Sequence, residues 1–438
     1  MNASHHGAKQ LPAYATPSQP LDGIFAFARS ACAPFAILHD KVTLQIMSNT
    51  TTPDARQSAL ALLALGLGAF AISTSEFASM GLMPLFAKDL DLSIPVATNG
   101  ITAYAIGVTL GAPVLTIAAA RLNKKRLLIA LIGLAFLANL VTAMAGDLVS
   151  LVVGRFFSGL PQGVYFGAAS VVATRIVGPE RAGRAVSLVF SGISVATIIG
   201  APVGTWIGQQ LDWRAAYTAI GLLALVAGLV LAFAVPQRED LAGGPIRQEL
   251  ASLRRLNVWI MVLFGSFAVS SLFAIYTFIG PLVTDVAGMS TGMTPLAQML
   301  IGFGIALGAL WGGGMADRYR FRALILSLAG AMAAMLVMYF VAAMPVGLMA
   351  MFFVASFLLN AAVPSITVQM MRMAPESPTM MGALNMAAFN IANAVGAIGG
   401  ALTVEAGWGL RSPILAGLGL TGVALAIFAL AWPRLRRG

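Results

Sequence analysis

The stretch ALALLALGLGAFAISTSEFASMGLM, residues 59–83, holds one ionisable side chain, Glu76, in an otherwise apolar run. About 20 apolar residues suffice to cross the hydrocarbon core of a bilayer, so the stretch reads as a membrane span. In lipid the backbone must satisfy its own N–H and C=O groups, which leaves a helix or a closed barrel. Barrel strands alternate in polarity over segments of about ten residues, and this stretch does not. The same pattern recurs at 95–119, 127–146, 148–172, 184–209, 214–235, 258–284, 294–315, 323–343, 346–371, 380–402 and 412–432. The expectation is an all-α membrane protein of twelve transmembrane helices.

Composition agrees. Of the 438 residues 59% are hydrophobic and 10% charged, and mean hydropathy is +0.87, whereas a soluble domain carries about 25% charged residues. The formal charge of +10 invites a nucleic-acid reading, but the cations are placed by loop. Arg121, Lys124, Lys125, Arg126, Arg175, Arg181, Arg184, Arg238, Arg247, Arg254, Arg255, Arg318, Arg320, Arg322, Arg372, Arg434, Arg436 and Arg437 fall in even loops or the tail. Only Lys88, Arg214 and Arg411 fall in odd loops. Basic residues hold loops on the cytoplasmic side. The asymmetry therefore puts both termini in the cytoplasm of a bacterial-type inner membrane and requires an even number of crossings.

The chain divides accordingly. Residues 1–57 read as a poorly ordered cytoplasmic extension, with Met47 opening a polar leader into the first span. Residues 58–236 form one six-helix bundle, 237–257 a polar linker, 258–433 a second bundle and 434–438 a basic tail. A short surface helix is expected over 250–256. The loops after spans 2 and 8 are both basic, as a duplicated half requires.

Four motifs carry a family resemblance. Gly313-Gly-Met-Ala-Asp317-Arg318 follows span 8; its counterpart keeps Arg121, Lys124, Lys125 and Arg126 but has Ala120 in place of the acid. Span 4 reads Arg155-Phe-Phe-Ser-Gly159-Leu-Pro-Gln-Gly163, and span 5 reads Gly200-Ala-Pro202-Val-Gly204-Thr-Trp-Ile-Gly208. Asp212-Trp213-Arg214 enters span 6. Over about residues 58–433 the chain resembles the major facilitator superfamily, in particular its twelve-span drug/proton antiporter branch of arabinose-efflux-like permeases. The resemblance implies two pseudo-symmetric six-helix bundles, a gate latched by the basic loop motif, and a central cavity lined in part by Glu76 and Arg155. Ala120 puts the latch of the first half in doubt.

The residues also speak for themselves. An intramembrane charge costs at least about 2.5–3.5 kcal/mol on insertion scales, so Glu76 and Arg155 are functional candidates by default. Counted at 1.5 Å per residue from their helix ends, both lie about 12 Å deep and could pair if spans 1 and 4 are neighbours. Such a pair suits proton coupling, because changing water access or the distance to a cation moves a carboxyl between its two states. The competing reading is a static structural pair. Candidates for a substrate cavity are Tyr104, Gln162, Tyr165, Tyr276, Gln369, Asn385, Asn390 and Asn393; interhelical hydrogen bonding competes for each. Gly159, Gly163, Gly200, Gly204 and Gly208 allow close helix packing, and Pro202 should bend span 5.

With one cysteine, Cys32, no internal disulfide forms, and His5, His6 and His39 all fall in the leader. No metal spacing, phosphate-binding glycine loop or nucleophile elbow appears, so neither a cofactor nor an enzyme is expected. The expected activity is secondary transport, export of a small organic or amphipathic compound against protons, by a monomer that binds no nucleic acid. A sugar or nucleoside permease and a non-transporting receptor remain rivals.

Overall fold

The apolar runs fold as helices wherever the chain is described, which in this computed structural model is residues 53–119, 122–178, 181–236, 252–319, 321–374 and 378–435. Among them are twelve long helical segments: α1 Pro53–Asp89, α2 Asn99–Ala118, α3 Lys124–Ala143, α4 Leu148–Val177, α5 Ala182–Gln210, α6 Trp213–Ala234, α7 Leu256–Thr277, α8 Thr294–Tyr319, α9 Phe321–Val341, α10 Pro345–Met373, α11 Pro378–Glu405 and α12 Ser412–Leu435. Ten are long and apolar enough to cross a membrane. No strand occurs among the described residues. The twelve form two sets of six, α1–α6 and α7–α12.

Side-chain caps set several starts. Asn123 accepts from the Lys125 N–H, and Asp212 from the Arg214 N–H. Asp147 and Ser150 form a reciprocal capping box on α4, satisfying N–H groups a helix start leaves unpaired. Three boundaries differ from expectation. The second span is broken near Thr98: Ile94–Ala97 is a separate turn capped by Ser93. The seventh breaks at Phe278, after which Ile279–Pro281 and a π turn, Leu282–Val286, follow. Helix α1 begins at Pro53, inside the segment read as leader. Of the expected helix at 250–256, the described part is a 3-10 turn, Ser252–Arg254.

Pro202 acts on α5 through a wide turn. Ala196–Gly200 is π-helical, the Ala201 N–H reaching back to the Ala196 carbonyl, and α-helix resumes at Ala201. Proline cannot donate to the ladder, and the wider turn absorbs the defect. Beyond it Gly200, Gly204 and Gly208 lie against Thr74, Ala78 and Leu82 of α1, and before it Gly192 lies against the α1 backbone at Gly66 and Phe70.

The sets echo each other. A methyl on Gly107 or Gly111 of α2 would strike the carbonyls of Phe156 and Leu160 on α4. A methyl on Gly308 or Gly312 of α8 would strike those of Phe357 and Ala361 on α10. Gly159 and Gly163 complete the α4 side of the first seam, against Tyr104 and Ala112.

Residues 60–438 are one compact unit, with two apolar clusters. One runs through both sets, and its α1–α6 members, such as Phe77, Phe86, Ile101, Leu151 and Trp213, all lie toward the end where α1 stops at Asp89. The other is built from α1–α6 residues toward the opposite end, such as Leu65, Leu128, Val172 and Leu231, and takes only Met386 from the second set. The sets thus share a continuous core at the Asp89 end. There Arg214 ion-pairs with Asp89 at 2.5 Å, donates to the Ala145 carbonyl and lies over the Trp213 ring.

Candidate functional site

Glu76 and Arg155 are the two charged side chains that are buried among the described residues, each 1% exposed. Helices α1 and α4 are neighbours, and Tyr165 of α4 donates to the Leu65 carbonyl of α1 at 2.8 Å. The two charges nevertheless do not form an ion pair. Among the described residues the pair within 4 Å is Arg214–Asp89. Arg155 instead donates to the Ser75 hydroxyl at 3.1 Å and lies over the rings of Tyr104 and Tyr217, 4.5 and 5.4 Å from their centroids. A desolvated cation over an aromatic face is stabilised by about 2 kcal/mol, so the guanidinium has support of its own. Its Nε has no partner.

Glu76 is held by amides. Gln162 of α4 donates to Oε2 at 2.7 Å, and Asn393 of α11 donates to Oε1 at 3.0 Å. A carboxylate only accepts, so each oxygen faces one N–H. The remaining oxygens of those amides, Gln162 Oε1 and Asn393 Oδ1, are buried without partners. The site therefore joins both helix sets.

A chain of neutral groups surrounds it. The Ser75 hydroxyl donates to Asn139 of α3 at 2.7 Å. The Tyr217 hydroxyl of α6 donates to Ser79 at 2.8 Å, and Ser79 donates to the Ser75 carbonyl. Thr74 bonds back to its own helix at Phe70. Asn139 and Tyr217 were not singled out in the sequence. For Asn139 the signal existed, since it is an amide in an apolar span like the asparagines of α11. Tyr217, near a helix end, carried no such mark.

The other candidates scatter. Tyr104 donates to the Ile72 carbonyl at 3.3 Å. Tyr276, fully buried, stacks on Phe77 with centroids 5.8 Å apart, and its hydroxyl is unpartnered. Gln369 is buried in α10. Asn390 donates back to Met386. Asn385 donates to Thr367 at 3.2 Å and lines a small recess with Gly265, Val269, Ile366 and Phe389. Of these residues, only Gln162 and Asn393 touch Glu76. At the gate motifs, Lys124, Lys125 and Arg126 open α3, and Gly313 has open space around it. Arg121 and the side chains of Asp317 and Arg318 lie outside the described residues.

A family profile described as Major Facilitator Superfamily matches residues 65–397. The chain is 34% identical over 366 residues to the inner membrane transport protein YdhP of Escherichia coli K12, covering 84% of this chain and 94% of that protein. It is 31% identical over 376 residues to a chloramphenicol resistance protein of Streptomyces lividans, covering 84% and 95%. A solved bacterial homologue of the human lysosomal transporter Spinster superposes with a TM-score of 0.71 at 16% identity, over 88% of this chain and 98% of that one; that likeness is one of fold.

Proposed function

The chain belongs to the major facilitator superfamily and is a multi-pass membrane transporter, and from that premise we propose that it exports a small organic or amphipathic compound in exchange for protons. The observation that carries this reading is the buried Glu76 carboxyl where the two helix sets meet, held by Gln162 of one set and Asn393 of the other. A group that binds a proton there feels any motion of one set against the other, because that motion changes its hydration and its donors. Arg155, bound to the hydroxyl of Ser75, the residue before Glu76, supplies a fixed positive charge nearby.

Export of an amphipathic compound is supported by the likeness to the chloramphenicol resistance protein of Streptomyces lividans and by the mixed character of the second set, where Asn385 and Thr367 sit beside Phe389 and Val269. The excess of cations in the even loops supports a cytoplasmic position for both termini, and no part of the mechanism calls for a cofactor.

The test is transport into proteoliposomes with labelled chloramphenicol, and with labelled arabinose as a second arm, under an imposed proton gradient. Gradient-driven movement of chloramphenicol is expected, with concomitant proton counterflow. Replacing Glu76 by Gln should abolish the gradient-driven component while leaving membrane insertion intact. Movement of arabinose alone would favour the permease reading, and full activity in Glu76→Gln would remove the acid from the mechanism.

A further inference from the structure

Three side-chain hydrogen bonds cross between the helix sets among the described residues. Gln298 of α8 donates to the Phe77 carbonyl at 3.4 Å, and Gln209 of α5 donates to the Thr291 carbonyl at 2.8 Å. Both end on backbone carbonyls, whose charge does not change. The third runs from Asn393 to Glu76, and it alone ends on an ionisable group.

Its geometry favours one protonation state. With Glu76 as carboxylate, two acceptor oxygens face two amide N–H groups, and both contacts are sound at 2.7 and 3.0 Å. A proton on Glu76 leaves one oxygen a full acceptor and makes the other a hydroxyl, a weaker acceptor for the amide facing it and a donor that needs an acceptor of its own. An amide could answer by turning over, which would carry its N–H into the buried position that its unpartnered carbonyl now holds. The ionisable groups facing Glu76 from the helices around it are Arg155 of α4, Tyr104 of α2 and Tyr276 of α7. Arg155 is committed to Ser75 and two rings, and Tyr104 to the Ile72 carbonyl.

We propose that Asn393 is a coupling residue, a latch between the two helix sets that engages the Glu76 carboxylate and lets go when Glu76 takes up a proton. Asn393 follows Ala392, and Phe77 follows Glu76; both flanking residues belong to the apolar cluster that runs through both sets. Releasing the latch removes the charge-dependent tie seen across that junction among the described residues, and the Asp89 end becomes free to part. The proposal rests on Glu76 being the coupling acid, and it adds the sensor that converts its proton into motion.

The test needs no transported compound. With Cys32 replaced by Ser, spin labels go on Leu211→Cys at the end of α5 and on Trp408→Cys after α11, positions 76% and 66% exposed. Their separation is read in lipid nanodiscs from alkaline to acidic pH. In the otherwise unaltered protein the distance should lengthen as pH falls. Glu76→Gln should give the long distance at every pH. Asn393→Leu should lose the pH response with the long distance already populated at alkaline pH, and Asn393→Ala should do the same if the leucine variant fails to insert. An asparagine that merely fills space would lower thermal stability and leave the pH response as it was. A wild-type response retained in both Asn393 variants while Glu76→Gln is pH-blind overturns the latch and leaves the acid in place. A pH response retained in Glu76→Gln removes the acid as coupling group and the latch with it, and a wild-type distance indifferent to pH likewise overturns the latch.

Discussion

The two helix sets are alike in packing and unlike in chemistry. In α1–α6 the buried polar groups include a carboxyl and a guanidinium; in α7–α12 they are amides and hydroxyls only, among the described residues. Yet the seam between α2 and α4 and the seam between α8 and α10 use the same device, glycines under the carbonyls of the opposite helix. Duplication accounts for the shared seam, since a glycine that lets two backbones meet is as necessary in one copy as in the other. Charge is different. A second buried acid would bring a second desolvation cost and a second titration coupled to the first. Concentrating the charges in one set leaves the other to meet them with neutral donors, as Asn393 meets Glu76.

The sharpest way to break this contrast is to move the acid across the junction. In the double variant Glu76→Gln, Asn393→Asp a carboxyl remains at the same contact but belongs to the other set. Proton-driven transport of chloramphenicol is expected to stay at least about tenfold below wild type, a barrier difference of about 1.4 kcal/mol, as in Glu76→Gln alone. Recovery would show that the set carrying the acid is immaterial. A smaller effect sharpens the likeness. Gly107→Ala and Gly308→Ala should each destabilise by about 1–3 kcal/mol through overpacking, and by similar amounts in denaturant titrations of detergent-solubilised protein. Gly133→Ala, which meets open space, is the neutral control.

The smallest effect separates the starts of α4 and α10. Helix α4 begins with Asp147, whose carboxyl accepts from the Ser150 N–H and hydroxyl at 2.8 and 2.6 Å; α10 begins after Met344 with no side-chain cap. Those bonds, the hydroxyl first, hold the Asp147 carboxyl below its ordinary range. A depressed pKa contributes stability above the unfolded-state value of about 3.9, and that contribution is lost as pH falls through the folded value. Asp147→Ala should therefore lower the melting temperature slightly at neutral pH. The gap from wild type should close in strong acid.

Much of the fold was legible because lipid makes sequence explicit: an apolar run of about 20 residues has one way to satisfy its backbone. The breaks at Thr98 and Phe278 were less so. Thr98 and Phe278 are themselves compatible with a helix, and the breaks depend on the Ser93 cap and on the π turn after Pro281. At the site, Glu76 and Arg155 were marked by the cost of a charge in lipid. That they stand close without pairing was not readable, because depth along a helix gives no azimuth. Asn393 was visible only as one of three asparagines on α11. Its bond to Glu76 spans 317 positions and exists only because the two sets meet.

The wide turn in α5 has a consequence for how the helix keeps its register. At 3.6 residues per turn, the eight steps from Gly192 to Gly200 would rotate the second glycine about 80° away from the first. A π turn takes up roughly one extra residue, which leaves about seven effective steps and a mismatch of only about 20°. Gly192, Gly200, Gly204 and Gly208 thereby stay within an arc of about 80° facing α1, where an unbroken α-helix would spread them over about 160°. The turn works as a vernier: the helix carries a surplus residue, and its glycines stay turned toward α1 on both sides of the proline.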